Sequence, residues 1–242
     1  MKYKIAYSLA TDKGKCRQIN QDNFFCDHTY LSGPMDSFQK SGSLSTPSLV
    51  SVFDGLGGEE KGEVAAFIAA KYASEVEINK NPEQELLSFC QEANQKICDY
   101  IEHNDVFSMG STAALIAFTK KQITVCNVGD SKIFRFSEDH LEQLSVDHLE
   151  AAMYGRKPGL SQNLGLSPKE VLLTPSIFSF DYHCNDTYLI CSDGLTDMVE
   201  KKDIKQVLSD AKIEECAKEL CSIAIESGGL DNVTVIVCKV GK

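Results

Sequence analysis

The sequence predicts an α+β domain of packed sheet and helix layers. Two observations carry that expectation. Short apolar stretches with strand periodicity recur along the whole chain, and two pairs of segments with helical spacing are set between them. A third observation is scale: 242 residues, 43% of them hydrophobic, suffice for one domain over 1–242 with a large core.

Residues 3–9 alternate and read as a strand, and 23–26 as a weaker one. Residues 32–48 are rich in Ser, Gly and Pro and read as one inserted surface loop, because strand-like segments flank them closely. Residues 49–53 form a short apolar strand that ends at Asp54-Gly55. Apolar residues at 64, 68, 72 and 76 give helical spacing. Asn81-Pro82 opens a second helix, with Asn as the cap and Pro in the first turn, and its buried stripe is Leu86, Cys90, Ala93, Ile97 and Ile101. A strand meander follows at 112–118, 123–128 and 132–136, with a short piece near 141–144. Residues 147–175 read as irregular. A buried strand at 187–191 runs into Ser192-Asp193-Gly194. Residues 203–208 and 213–225 are helical, and Gly228-Gly229 stops the second helix through a left-handed cap. The last strand covers 233–240.

The formal charge is −11, from 24 basic and 35 acidic residues, so nucleic acid and anionic membrane surfaces are not expected partners. The longest apolar run, 64–70, has seven residues, against roughly 20 for a bilayer span. The basic start of the chain is followed by no apolar stretch of signal-peptide length, and a cytoplasmic protein is expected. Ten cysteines include no Cys-x-x-Cys pair, which leaves a zinc ribbon without support. Most sit in apolar patterns such as Val125-Cys126 and Ile190-Cys191, as reduced buried thiols do. The five histidines are scattered without ligand spacing.

The chemistry lies in acidic residues at strand ends. Asp54 follows 49–53, Asp193 follows 187–191, and Asp231 precedes 233–240. Asp130 ends the strand at 123–128, and Asp197 lies one helical turn after Asp193. Any one of them alone reads as a turn or cap residue. Jointly they differ, because strand ends gather along one edge of a domain. Converging carboxylates repel and raise one another's pKa, so convergence is favourable only with cations between them. Oxygen donors without His or Cys select Mg²⁺ or Mn²⁺ rather than Zn²⁺. Gly55-Leu56-Gly57-Gly58 lets the backbone approach an ion or a phosphate closely. The Walker, dinucleotide-binding, nucleophile-elbow and His-Glu-x-x-His motifs are absent. Arg17 is one of few arginines in a Lys-dominated chain, and its guanidinium suits bidentate phosphate binding.

Six segments together resemble the metal-dependent protein phosphatases of the 2C type, the PPM family, in a bacterial style. They are Thr11-Asp12-Lys13-Gly14 with Arg17 and Asn20-Gln21-Asp22; Phe53-Asp54-Gly55-Leu56-Gly57-Gly58; Gly110-Ser111-Thr112; Asn127-Val128-Gly129-Asp130-Ser131; Cys191-Ser192-Asp193-Gly194-Leu195-Thr196-Asp197; and Gly229-Leu230-Asp231-Asn232-Val233-Thr234. The resemblance implies a four-layer α-β-β-α sandwich, with two central, mainly antiparallel sheets flanked by helices. It implies Mn²⁺ or Mg²⁺ as cofactor, with Asp54 bridging two ions, the Gly55 carbonyl touching one, and Asp193 and Asp231 completing the shell. Asp130 and Asp197 match positions of a third, weaker ion. Arg17 matches the Arg that binds the substrate phosphoryl group, and Asp22, Gln21 and Asn232 stand where residues support the metal site. The implied reaction is hydrolysis of phosphoserine and phosphothreonine by a water activated between two ions. The implied partners are phosphorylated proteins and a cognate serine/threonine kinase.

Three departures stand out. Gln21 replaces a Glu of many members and removes one negative charge. Leu56 replaces the His that often follows Asp-Gly in eukaryotic members. The flap-like segment 147–175 is short. Two other readings of the same residues are a pseudophosphatase that binds phosphoproteins without turnover, and a metal phosphohydrolase acting on nucleotides or other small molecules.

Overall fold

The computed structural model describes residues 3–56, 61–151 and 158–241. Gly57, Gly58 and residues 152–157 of the flap-like segment lie outside the described residues. The strands are β1 (Lys4–Asp12), β2 (Asn23–Phe25), β3 (Ser37–Ser45), β4 (Ser48–Phe53), β5 (Ala113–Phe118), β6 (Gln122–Val128), β7 (Lys132–Ser137), β8 (His140–Gln143), β9 (Ser176–Asp181), β10 (Thr187–Cys191) and β11 (Val233–Gly241). The helices are α1 (Gly62–Ala73), α2 (Pro82–Asn104), α3 (Asp193–Thr196), α4 (Lys201–Asp210) and α5 (Ile213–Glu226).

The strands form two antiparallel sheets, one in the order β3-β1-β11-β10-β7-β8 and one in the order β2-β4-β5-β6-β9. Three apolar clusters fix the layers. Ile5, Tyr7, Val50, Val52, Ile116, Phe118, Ile236 and Cys238 meet between the sheets. Phe53, Leu115, Ala117 and Cys126 pack outward on α1 and α2 through Ala65, Ala69, Leu86 and Phe89. Leu189, Val235 and Val237 pack on α4 and α5 through Ile204, Leu208 and Leu220. The order is helix, sheet, sheet, helix, as the resemblance implies.

Local chemistry explains the boundaries. The Asn81 side chain accepts from the Gln84 N–H at the start of α2, and Pro82 occupies the first turn without a donor to lose. Four of the five residues of its expected stripe, Leu86, Cys90, Ala93 and Ile97, are buried, and Ile101 is half-buried. At the end of α5, Gly229 at φ +56° donates to the Ala224 carbonyl. All ten cysteines are free thiols and eight are buried, while Cys16 is exposed and Cys184 half-buried.

Two strands depart from the sequence reading. Within 32–48, expected as a loop, Ser37–Ser45 is the edge strand β3, paired with β1 along its whole length. Its apolar residues do alternate: Phe38 and Leu44 turn toward the core while the serines face solvent. At the intervening Gly42, a Cβ would sit 3.0 Å from the Tyr7 ring, so a side chain there would press on the ring. Strand β9, after the flap-like segment, was not anticipated. Among the described residues of 147–175 there are isolated bridges but no helix or strand.

Candidate metal centre

Topology brings the acidic strand ends together. In the larger sheet, Cys191 at the end of β10 faces Val235 near the start of β11, and Asp12 at the end of β1 faces Val233. In the smaller sheet β4 and β6 both pair with β5, so they run in one direction; Val52 faces Ala114, and Val128 faces the neighbouring Ala113. Asp54 and Asp130 therefore leave the same edge of one sheet, and Asp193 and Asp231 the same edge of the other.

Backbone contacts close that edge. The Gly55 N–H donates to the Gln21 carbonyl at 3.2 Å, and the Gln21 N–H donates to Asn232 Oδ1 at 2.9 Å, linking the smaller sheet to β11. A Cβ on Gly194 would lie 1.9 Å from the Asn232 carbonyl oxygen, so only glycine lets the Asp193 turn lie against the Asp231-Asn232 backbone. Asp54 and Thr112 are joined twice. Thr112 N–H donates to the Asp54 carbonyl at 2.8 Å, and Asp54 N–H donates to Thr112 Oγ1 at 3.0 Å. Thr112 Oγ1 in turn meets Ser131 Oγ at 2.6 Å, beside the buried Asp130. Asp197 N–H donates to the Asp193 carbonyl at 2.8 Å in the first turn of α3.

The carboxylates feel one another. Asp54 retains some contact with solvent, yet its carboxyl is pushed well above the usual range, first by burial and then by the charges of Asp22, Asp193, Asp130 and Asp231. Asp22 is pushed up to about 7 by burial, against hydrogen bonds from Thr234 and Ser192 that favour its charged form, with Asp193 and Asp231 adding repulsion. Arg17 reaches this cluster: its Nε donates to Asp231 Oδ1 at 2.8 Å and its Nη2 to Asp231 Oδ2 at 2.6 Å. The guanidinium expected to hold phosphate thus clasps an aspartate. Among the described residues, no three Asp, Glu, His or Cys side chains converge at ligand spacing. Mutual repulsion and the Arg17 clasp on Asp231 oppose closer approach.

The residues at this end of the sheets suit a hard divalent cation. Its donors are carboxylate and carbonyl oxygens, the chemistry such ions take. One buried acceptor, Asp22 Oδ1, meets no donor among the described residues. A buried carboxylate oxygen left without a partner is costly, and a cation or its water supplies what is missing. The residues fit the group.

The sequence motifs contain every aspartate of this cluster. They did not reveal the hydroxyls of Thr11, Thr112, Ser131, Ser192 and Thr234, or Glu63 of α1, whose Oε2 accepts from Gln21 Nε2 at 3.3 Å. The only available signal was that each hydroxyl residue stands beside or within a matched segment.

Acidic strand ends gathered at the shared end of two stacked antiparallel sheets suit a hydrolase that handles charged groups better than a nucleotide-loop or nucleic-acid-binding domain. The sequence model of the protein phosphatase 2C family matches residues 35–220, and the chain belongs to that family. A serine/threonine phosphatase, stp, of Listeria innocua is 29% identical over 94% of this chain and 92% of its own. The crystal structure of the catalytic domain of the serine/threonine protein phosphatase PstP, in complex with two manganese ions, superposes with a TM-score of 0.81 at 25% identity, covering 99% of this chain and all of that one. The PPM Ser-Thr phosphatase MsPP of Mycobacterium smegmatis, in complex with cacodylate, aligns at 26% identity with a TM-score of 0.78, over 97% of this chain and 98% of its own.

Proposed function

We propose that this chain is a protein serine/threonine phosphatase that depends on Mn²⁺ or Mg²⁺. The observation that carries the reading is the carboxylate cluster around Asp54, whose charges raise its pKa and in which the buried Asp22 keeps one oxygen without a donor among the described residues. Asp54, the Gly55 carbonyl, Asp193 and Asp231 would hold two ions, and Asp130 with Asp197 a third, weaker one. Gln21, Asp22 and Asn232 would fix the shell, Gln21 doing so through its backbone and neutral amide. Bound there, the cations supply an acidified water and neutralise charge on the phosphoryl group.

Arg17 has a different task. Its fork already grips two oxygens of Asp231 in the geometry a phosphoryl group presents. Turned from Asp231 toward a substrate, that fork would orient the phosphoryl group and stabilise its developing charge. Leu56 offers no proton, so the leaving serine or threonine oxygen takes one from solvent. Cys191, two residues from Asp193, is no candidate nucleophile: it is buried, and burial pushes its thiol up to about 12. Phosphorylated proteins, products of a serine/threonine kinase, are the substrates, and ten free thiols suit a reducing cytoplasm.

The test is turnover of a phosphothreonine peptide and of a nucleotide panel, each with Mn²⁺ and with chelator. Mn²⁺-dependent peptide hydrolysis supports the proposal. A clear nucleotide preference makes the chain a small-molecule phosphohydrolase, and peptide binding without turnover makes it a phosphoprotein-binding relative.

A further inference from the structure

Behind Asp22 lies a chain of buried hydroxyls that the site reading leaves without a role. Thr11, Asn20, Asp22, Ser192 and Thr234 are each at most 4% exposed. Thr234 Oγ1 donates to Asp22 Oδ2 at 2.7 Å, and Ser192 Oγ donates to the same oxygen at 2.8 Å. The Thr11 and Thr234 hydroxyls lie 2.7 Å apart, and Asn20 Nδ2 donates to Thr11 Oγ1 at 3.0 Å. Thr234 N–H donates to Ser192 Oγ at 2.9 Å, and Asp22 N–H to Asn20 Oδ1 at 3.2 Å.

Proton counting fixes the direction of every bond. The Asp22 N–H sets the Asn20 amide with its oxygen inward, so Nδ2 faces Thr11. Thr234 has one hydroxyl proton and spends it on Asp22, so the Thr11–Thr234 contact carries the Thr11 proton. The chain runs one way: Asn20 to Thr11 to Thr234 to Asp22. Ser192 receives from a backbone N–H and donates its own proton to Asp22. Both donors end on Oδ2, while Oδ1 is buried with no donor among the described residues. Buried polar atoms are rarely orphaned, and here one oxygen of a carboxylate is satisfied twice and the other not at all.

We propose that Thr234 and Ser192, backed by Thr11 and Asn20, are positioning residues that sort the two oxygens of Asp22. Oδ2 is committed to the protein, and Oδ1 is held bare toward the cation site. The network spans both sheets, since Thr11 and Thr234 face each other across β1 and β11 and Asp22 immediately precedes β2. It holds the carboxylate against the repulsion of Asp193 and Asp231 before any cation arrives. Outer partners of this kind typically set metal affinity by about 10- to 100-fold.

The inference rests on the cation reading of the site, and the experiment separates the two. Mn²⁺ affinity is measured by calorimetry on the metal-stripped full chain, wild type beside Thr234→Val, Thr234→Ser and Thr11→Val, with metal-free melting recorded for each. Thr234→Val keeps the β-branched shape and removes the hydroxyl, both the donor to Asp22 and the acceptor for Thr11. Its Mn²⁺ affinity is expected to fall about 10- to 100-fold, Thr234→Ser to restore it, and Thr11→Val to fall less. Should Thr234→Val not fold, Thr11→Val against Thr234→Ser decides. Wild-type affinity in a folded hydroxyl-deleted variant overturns the positioning role. If wild type itself binds no Mn²⁺, the cation reading fails first.

Discussion

Two buried regions lie within one strand length of each other and answer to opposite physics. Between the sheets, Val50, Val52, Ile116, Phe118 and Ile236 are fully excluded from solvent, and each apolar Å² removed from water contributes about 25 cal/mol to folding. At the strand ends, burial of Asp22 and Asp54 works against their charged forms and raises both pKa values. The first region stabilises the fold unaided, whereas the second carries the mutual repulsion of its carboxylates, met in part by the Arg17 fork on Asp231. The contrast separates what folds the chain from what makes it act.

Four substitutions or conditions break or sharpen that contrast. The largest effect is expected from Asp54→Asn, which should cut turnover about 10³-fold, the scale of losing a charge-stabilising group, while raising the metal-free melting temperature by relieving repulsion. Near-normal turnover would remove Asp54 from the site. In the core, Ile116→Ala should cost about 2–5 kcal/mol in chemical denaturation yet leave kcat of the folded fraction close to wild type. A kcat collapse there would show the two regions to be one.

Arg17→Ala comes next. Loss of a charge-assisted fork should raise KM about tenfold or more, with a smaller fall in kcat. An unchanged KM would leave Arg17 as a partner of Asp231 alone. The smallest effect is in pH. Between 3.8 and about 7 the folded Asp22 carboxyl holds a proton that the unfolded chain has released. Folding takes up protons in that window, so the metal-free protein should lose stability as pH rises through it. Asp54 acts in the same direction. Melting curves across that range should show the decline, and Asp22→Asn should flatten it; an identical slope in the variant would clear Asp22 of the effect.

Most of the fold was legible because apolar periodicity and cap residues such as Asn81-Pro82 and Gly228-Gly229 act locally. Strand β3 was not, because its outward face is serine and its inward face includes Gly42 over Tyr7, so composition concealed the alternation. Strand β9 was missed because its apolar residues Ile177, Phe178 and Phe180 fall on both faces and leave no period of two. The acidic residues were legible from their places at strand ends. The network behind Asp22 was not, since Thr11 and Thr234 stand 223 positions apart and only the pairing of β1 with β11 joins them. Nor did sequence show that Arg17 spends its fork on Asp231 in this structure.

The central claim is that strand-end aspartates hold divalent ions, and anomalous diffraction at the manganese edge from crystals grown with Mn²⁺ tests it most directly. Peaks within ligand distance of Asp54, Asp193 and Asp231, with Arg17 released from Asp231, are the predicted result. A map without anomalous density beside Asp54, and with the Arg17–Asp231 pair intact at saturating Mn²⁺, would contradict it.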